Sequence, residues 1–204
     1  MQNTMKKDIN KKKNHIRNIL ACIRKHQDLL ELKEYFTCFP DEIDKIIYEK
    51  QQFIPLHYAI DCNFVEAAFY LIEKGANVSL LDDCNTSALN RAVMIDSYEL
   101  CEKIISIDRN LVNIESKEWR RTAIWHAILQ IGRRPLESID FRILDLLIES
   151  GADIHKPISN GTTSYELITH QKNAKEIVSH LENKFPQIIN RLVAVHVPQD
   201  PAGS

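Results

Sequence analysis

The sequence predicts an all-α fold, a solenoid of stacked helix-turn-helix units with short hairpin fingers and helical caps. Related hexapeptides begin at residues 54, 87, 122 and 163, at intervals of 33, 35 and 41 residues. Apolar residues with helical spacing follow the second and third hexapeptides, and Gly75 and Gly151 stand where such helices would end. Because one helix pair is too thin to bury its own apolar face, the units must stack on one another.

The hexapeptides predict the first helix of each unit. Ser87, Thr122 and Thr163 suit the position before a helix, and Pro55 is tolerated at the first helical position. A small alanine at the end of three hexapeptides predicts close approach of neighbouring helices. The last hexapeptide lacks this alanine and is expected to be an edge repeat. The sequences are IPLHYA at 54–59, SALNRA at 87–92, TAIWHA at 122–127 and TSYELI at 163–168.

A second helix is predicted in each unit from apolar residues three and four positions apart. Glycine adopts the left-handed conformation that often ends a helix, which fits Gly75 and Gly151. The apolar residues that carry this pattern are Leu100, Ile104 and Ile105 in one unit and Ile143, Leu144, Leu147 and Ile148 in another.

These features resemble ankyrin-repeat proteins over residues 41–184. A Thr-Pro-Leu-His-x-Ala hexapeptide at a period of about 33 residues is the signature of that family. The helix ends LIEKGANV at 71–78 and LLIESGADI at 146–154 extend the likeness. The resemblance implies a non-catalytic protein that binds through its fingers and first helices. With its abundant Asn, Lys and Ile, the chain is also similar to effectors of intracellular bacteria, while a eukaryotic or viral origin stays open.

Capping segments are expected at both ends of the array. We divide the chain into a basic tail and N-terminal capping helices (1–40), the array (41–184), and a C-terminal capping helix with a loose tail (185–204). The segment FPDEIDKII at 39–47 is similar to the opening helix of an F-box. The first hexapeptide follows too closely for a full F-box, which favours the helix of an incomplete leading repeat. The cap residues are Ile16, Ile19, Leu20 and Ile23, then Ile188, Ile189, Leu192, Val193 and His196.

Charge is distributed unevenly over the 204 residues, whose net charge is −2. Residues 1–25 hold eight Lys or Arg and one Asp, a net of +7, which leaves −9 on the remainder. An acidic array disfavours nucleic acid, whose binding depends on neutralising phosphates. We expect a monomer in the cytoplasm, or in the host cytosol for a secreted bacterial effector. The basic run at 11–13 favours a solvated tail, with nuclear import or membrane-surface binding as alternatives.

Composition gives no sign of a membrane protein, a secreted protein or an enzyme. No apolar run approaches the ~20 residues that span a bilayer. The start of the chain lacks the apolar stretch of a signal peptide, and the five cysteines lack paired spacing. Phosphate-loop, HExxH, GxSxG and CxxC motifs are absent. We therefore expect no catalysis, cofactor or metal, and we interpret His57 as a structural residue bound to the backbone of the adjoining finger.

The resemblance places a binding surface on the fingers and first helices. Trp119 is the strongest candidate, because an exposed Trp in a finger is costly unless it meets a partner and Trp is enriched at interface hot spots. The alternative is that Trp119 folds back on a neighbouring finger while Arg120 and Arg121 are solvated. The insertion at 132–140 is either a binding loop or a tolerated surface loop. The candidate residues are Trp119, Arg120, Arg121, Glu118, Asp83, Cys84, Met94, Ile95, Gln130 and Asn160.

Two functions follow from the sequence. The first is a non-catalytic module that binds one protein partner on its concave face. The alternative is an adaptor or regulatory subunit that links a bound target to a second complex through its terminal segments.

Overall fold

The helix pairs expected from the sequence form a stacked array in the computed structural model. The structure describes residues 19, 21, 23, 24, 29–48 and 51–188. Within these residues, helix α1 and the antiparallel strands β1 and β2 precede four helix pairs. The elements are α1 (Leu29–Cys38), β1 (Ile46–Tyr48), β2 (Gln51–Phe53), α2 (Pro55–Asp61), α3 (Val65–Glu73), α4 (Ala88–Met94), α5 (Tyr98–Ile107), α6 (Ala123–Arg133), α7 (Arg142–Glu149), α8 (Ser164–Thr169) and α9 (Ala174–Lys184).

Each hexapeptide begins the first helix of a pair. Ser87 accepts a hydrogen bond from the backbone N–H of Asn90, and Thr163 forms a capping box with Glu166. The cap prediction is confirmed at these two positions. Thr122 also directly precedes its helix, as predicted, but its side chain makes no cap bond, while α2 starts with Pro55 in its first turn.

Two rows of helices enclose the core. The first helices α2, α4, α6 and α8 contact one another in order, and α3, α5 and α7 form the second row. The alanines of the first three hexapeptides are buried, which confirms the predicted close approach. A fully buried Leu or Ile contributes about 1.5–3 kcal/mol relative to an exposed one. The largest such side chains in the array are Leu56, Ile60, Leu71, Leu89, Leu100, Ile104, Ile124 and Ile128.

Glycine ends α3 and α7 as expected. Gly75 and Gly151 have φ angles of 92° and 91°, in the left-handed region. In each case the next N–H bonds the carbonyl five residues earlier, Leu71 for α3 and Leu147 for α7, at 2.9 Å. Between these two ends, α5 runs into a 3-10 helix at Arg109–Asn113 instead.

The repeats carry short fingers, of which the second, third and fourth are joined by backbone hydrogen bonds. Strands β1 and β2 form the first finger, and single antiparallel bridges close the second (81–87) and fourth (157–163). The third finger (116–121) is closed by the Ser116 N–H, which donates to the Arg121 carbonyl at 3.0 Å. The N–H of Lys117 donates to the Cys84 carbonyl of the second finger at 2.9 Å.

Two local predictions require correction. The segment at 39–47 is not the helix of a leading repeat. Only Pro40–Glu42 form a 3-10 turn, and the backbone from Ile46 is extended because it pairs with β2. The insertion at 132–140 begins inside α6, which extends to Arg133, and it contains a 3-10 turn at Leu136–Ser138.

The expected caps are described only in part. Ile19 and Ile23 are buried in the core, α1 packs on α3, and Ile188 packs partly buried against the core. Ile16, Leu20, Ile189, Leu192, Val193, His196 and the lysines at 6, 7 and 11–13 lie outside the described residues. The proposed domain limits stay predictions. None of the helices in the described ranges is long and apolar enough to cross a membrane.

Candidate partner-binding surface

A groove runs between the second and third units, on the side of the fingers and first helices. We call it the inter-repeat groove. It has a volume of about 360 Å³ and continues along α6 into a smaller hollow of about 230 Å³. Its walls are Asp82, Cys84, Thr86, Asn90, Arg91 and Met94 of the second unit and Ser116, Glu118, Trp119, Arg121 and His126 of the third. The hollow adds Leu129, Gln130 and Arg133.

Two large apolar side chains are exposed along this groove. Trp119 is 54% exposed and Met94 is 52% exposed. The backbone beneath Trp119 is fixed by the fourth finger, because the N–H of Ser159 donates to the Trp119 carbonyl at 3.3 Å and its hydroxyl donates to the Glu118 carbonyl at 2.9 Å. The indole therefore stands on a constrained backbone with about half of its surface uncovered.

The guanidinium of Arg121 lies near two indole rings. The centre of its guanidinium lies 5.3 Å from the centroid of Trp119 and 5.8 Å from that of Trp125, within the range of cation–π attraction. Trp125 is only 6% exposed. Arg121 forms no ion pair with any described carboxylate, and its Nε atom has no hydrogen-bond partner among those residues. The alternative of a merely solvated Arg121 is wrong.

Arg91, on the opposite wall, is already paired. Its guanidinium bridges Asp61 and Asp82. Burial acts to raise the pKa of Asp82, but the N–H of Thr86 and the charge of Arg91 together bring this pKa below its usual value. Of the three charged residues only Arg91 and Asp82 line the groove, where their opposite charges cancel.

His126 forms part of the boundary between the groove and the hollow. Burial lowers its pKa to about 4, and the charges of Arg121 and Arg133 act in the same direction. The imidazole is therefore neutral near pH 7, and the two arginines supply the positive charge at this end of the groove.

Arg120 lies outside the groove. Its φ of 52° is unusual for a residue with a side chain, and its Nε atom donates to Glu115 at 2.6 Å. Glu115 also pairs with Lys156 of the next unit at 2.6 Å. Arg120 thus links the third finger into a charge network between units.

The other candidate residues divide into three groups. Cys84 and Glu118 line the groove, and Gln130 lines the hollow, where its amide donates to the Met94 carbonyl at 2.5 Å. Asp83 and Asn160 are exposed at fingertips beyond the groove walls. Ile95, the remaining candidate, is not available as an exposed apolar residue: it is half-buried directly after α4 and packs against the core.

Sequence reasoning missed several groove residues. Asn90, Arg91 and His126 line the groove but were not among the candidate residues. The candidates chosen on the same two helices were Met94 and Gln130. The signal was available in helix geometry. Arg91 precedes Met94 by three residues and His126 precedes Gln130 by four, so each pair shares one helix face.

His57 occupies a buried place beside the second finger. It is 4% exposed, and neither ring nitrogen has hydrogen-bond geometry to another described residue. The predicted hydrogen bond to the finger backbone is therefore not formed. The imidazole lies near the backbone of Leu80, which acts to raise the pKa of His57. Burial and then the charge of Arg91 outweigh this, and the pKa falls to about 4. His57 is a neutral core residue.

The described residues contain no group of three or more His, Cys, Asp or Glu side chains placed to hold a metal ion.

Comparison with known proteins supports the repeat assignment. Residues 51–83 match the family model described as Ankyrin repeat. In Saccharomyces cerevisiae, a protein named probable 26S proteasome regulatory subunit p28 is 33% identical to this chain over 76 residues. That segment covers 37% of this chain, and it spans 32% of the yeast protein. The matched unit is one of four helix pairs built alike, so the array has the architecture of an ankyrin-repeat solenoid.

Proposed function

We propose that this chain is a non-catalytic protein-interaction module that holds a segment of a partner protein in the inter-repeat groove. The observation that carries the proposal is the exposure of Trp119 and Met94 along one groove. Aromatic side chains, Met and Arg are enriched at protein interfaces, and a few such residues supply most of the binding energy.

The rigidity of the third finger supports the same proposal. Binding costs free energy when a partner must first order a loop or a side chain. The bonds from Ser159 and the stacking on Arg121 hold Trp119 before any partner arrives. Most of the stabilisation gained by covering the indole would then contribute to affinity.

A peptide library displayed on phage tests the proposal with the full-length chain as the target. Peptides selected on the native chain should bind the Trp119→Ala variant at least about tenfold more weakly, since hot-spot truncation costs ~2 kcal/mol or more. Met94→Ala should weaken the same peptides, and neither change should shift the unfolding midpoint appreciably.

Two residues outside the groove provide matched controls. Ile107 and Leu136 are 52% and 53% exposed, close to the values for Met94 and Trp119. Ile107→Ala and Leu136→Ala should leave peptide affinity within about twofold of the native value. Equal binding of the selected peptides to native chain and Trp119→Ala would overturn the proposal.

The yeast relative favours a second proposal. That protein is named as a regulatory subunit of the 26S proteasome. We propose as the alternative function that this chain, too, is an adaptor or regulatory subunit that joins a bound target to a larger assembly through its terminal segments. Action as a bacterial effector stays a prediction.

Separate changes at the two sites test the adaptor function. Deleting residues 1–50 would remove the N-terminal segment, but it would also remove Ile23, Leu32 and Phe36 from the core and so destabilise the fold. The full chain should instead carry Gln at the lysines 6, 7 and 11–13. In proximity labelling, an adaptor should lose one set of neighbours with these changes and a different set with Trp119→Ala. A single set that depends on Trp119 alone would contradict the adaptor function.

A further inference from the structure

The arginines around the inter-repeat groove differ in whether a carboxylate neutralises them. Arg91 pairs with Asp61 and Asp82. Arg120 pairs with Glu115, and Arg134 with Asp96. Arg121 and Arg133 form no ion pair with any carboxylate in the described part of the chain. Two guanidinium groups are therefore available, and both belong to the third unit.

The two free arginines act at the same place. The positive charges of Arg121 and Arg133 both lower the pKa of His126, so both arginines act on the same residue of α6. Met94, Arg121 and His126 border both the groove and the hollow, and Arg133 lines the hollow. None of the described residues that line the hollow carries a carboxylate, whereas Glu118, which forms no ion pair with another described residue, lies at the fingertip side of the groove. The groove is therefore positive toward α6 and negative toward the fingertips.

The setting of Arg121 suits recognition of a planar acceptor. Two indole rings lie within cation–π range of its guanidinium, which restrains the side chain. A stacked guanidinium keeps N–H donors at its edge, in a fork that matches a carboxylate. The buried Nδ2 atom of Asn90, another groove residue, also lacks an acceptor among the described residues. Donors thus predominate among the unpartnered polar groups along the groove.

We infer that the inter-repeat groove binds an acidic segment of the partner protein, with an Asp or Glu carboxylate on Arg121 and Arg133 and a neighbouring apolar side chain on Trp119 and Met94. This inference rests on the proposed function and names the chemistry of the partner. Outside residues 1–25 the chain carries a net charge of −9, so a polyanion such as a nucleic acid would be repelled beyond these two arginines. A short acidic segment meets only the positive end.

The displayed peptide library also tests this inference. Peptides selected on the native chain should be enriched in Asp and Glu beside an aromatic or aliphatic residue. A selected peptide should then be synthesised in two forms, one with its acidic residues and one with Asn and Gln in their place. The acidic form should bind the native chain at least about tenfold more tightly, as expected for a bidentate charged pair.

Substitutions in the protein identify which arginines act. Arg121→Gln should remove most of the difference between the two peptides, and Arg121→Lys should restore part of it because the charge returns without the planar fork. Since Arg121 also stacks on buried Trp125, Arg133→Gln provides a second variant at an exposed site, with an expected loss of about threefold or more. Arg120→Gln is the matched control, because Glu115 already neutralises Arg120, and it should change affinity less than about twofold.

The outcomes separate this inference from the proposed function. Selected peptides that depend on Trp119 but show no acidic enrichment, or equal binding of the two peptide forms, would overturn the acidic partner and leave the module intact. Peptides indifferent to Trp119→Ala would overturn the module itself. If phosphoserine in place of Glu tightens binding by more than about tenfold, the site recognises phosphate, and the carboxylate assignment is overturned.

Discussion

The two tryptophans of this chain are six residues apart in sequence, on either side of Arg121, and differ in exposure. Trp125, in the first turn of α6, is 6% exposed, while Trp119, in the third finger, is 54% exposed. Both rings contact the same guanidinium. The difference shows how a repeat separates its tasks: the first helix covers its aromatic residue within the stack, and the finger presents its own at the surface.

Equivalent positions in the other units support this division. Trp125 is the fourth residue of its hexapeptide, and the same position holds His57, Asn90 and Glu166. His57 and Asn90 are buried as well, whereas Glu166 is exposed and closes a capping box. The fourth residue of the hexapeptide is therefore buried in each unit that is followed by another described unit, whether the side chain is polar or aromatic.

The largest expected effect is a contrast in stability between the two tryptophans. Truncating Trp125 to Ala should lower the free energy of unfolding by about 3–5 kcal/mol, because a buried aromatic side chain leaves a cavity. Trp119→Ala should lower it by less than about 1 kcal/mol, the loss of an exposed cation–π contact. Urea unfolding followed by circular dichroism measures both. Similar losses in the two variants would break the comparison.

A second experiment examines the interior position through His57. Burial holds the pKa of His57 at about 4, below its ordinary 6.5, so the folded state favours the neutral ring. The unfolded chain therefore binds more protons between these values. The stability from a neutral His57 is complete above pH 6.5 and decreases as the pH falls toward 4, by about 2 kcal/mol at about pH 5.

Replacement of His57 by Asn isolates this contribution. Asn90 shows that the position accepts an amide, so the variant should fold and should lose stability less steeply over the same pH range. His126, whose pKa is lowered to about 4, and carboxylates with lowered pKa values such as Asp82 contribute to the remaining slope. Urea unfolding at several pH values gives the two curves. If they run parallel, His57 is not a neutral interior residue.

The sequence was sufficient for most of the fold because the relevant signals are local. Ser87 and Thr163 cap helices through their own first turns, and Gly75 and Gly151 adopt a conformation that other residues resist. The helix predicted at 39–47 was wrong because the backbone from Ile46 is extended and pairs with β2. Helical spacing in the sequence does not reveal such a partner. Thr122 lacked its cap bond even though its residue type favours one.

The binding surface was less predictable, because it depends on contacts between units. Trp119 and Met94 could be selected from their positions in the repeat. The pairing of Arg91 with Asp61, or of Arg120 with Glu115, could be seen only in the structure. Arg120 and Arg121 are adjacent in sequence, yet only Arg120 has a carboxylate partner among the described residues. The free state of Arg121 arises from what its neighbours already bind.

The smallest expected effect concerns what holds Trp119 in place. Ser159→Ala removes the hydroxyl that donates to the Glu118 carbonyl and keeps the backbone bond to Trp119, so the free energy of unfolding should fall by only about 0.5 kcal/mol. Affinity for a groove-selected peptide should nevertheless fall about threefold, because a less constrained finger must be ordered on binding. Calorimetric titration measures this loss. Ser138→Ala, which removes an exposed hydroxyl bond in the 3-10 turn after α6, is the control and should leave affinity unchanged. If Ser159→Ala also leaves affinity unchanged, this hydroxyl bond does not preorganise Trp119, and the rigidity of the finger must come from Arg121 and the remaining backbone bond.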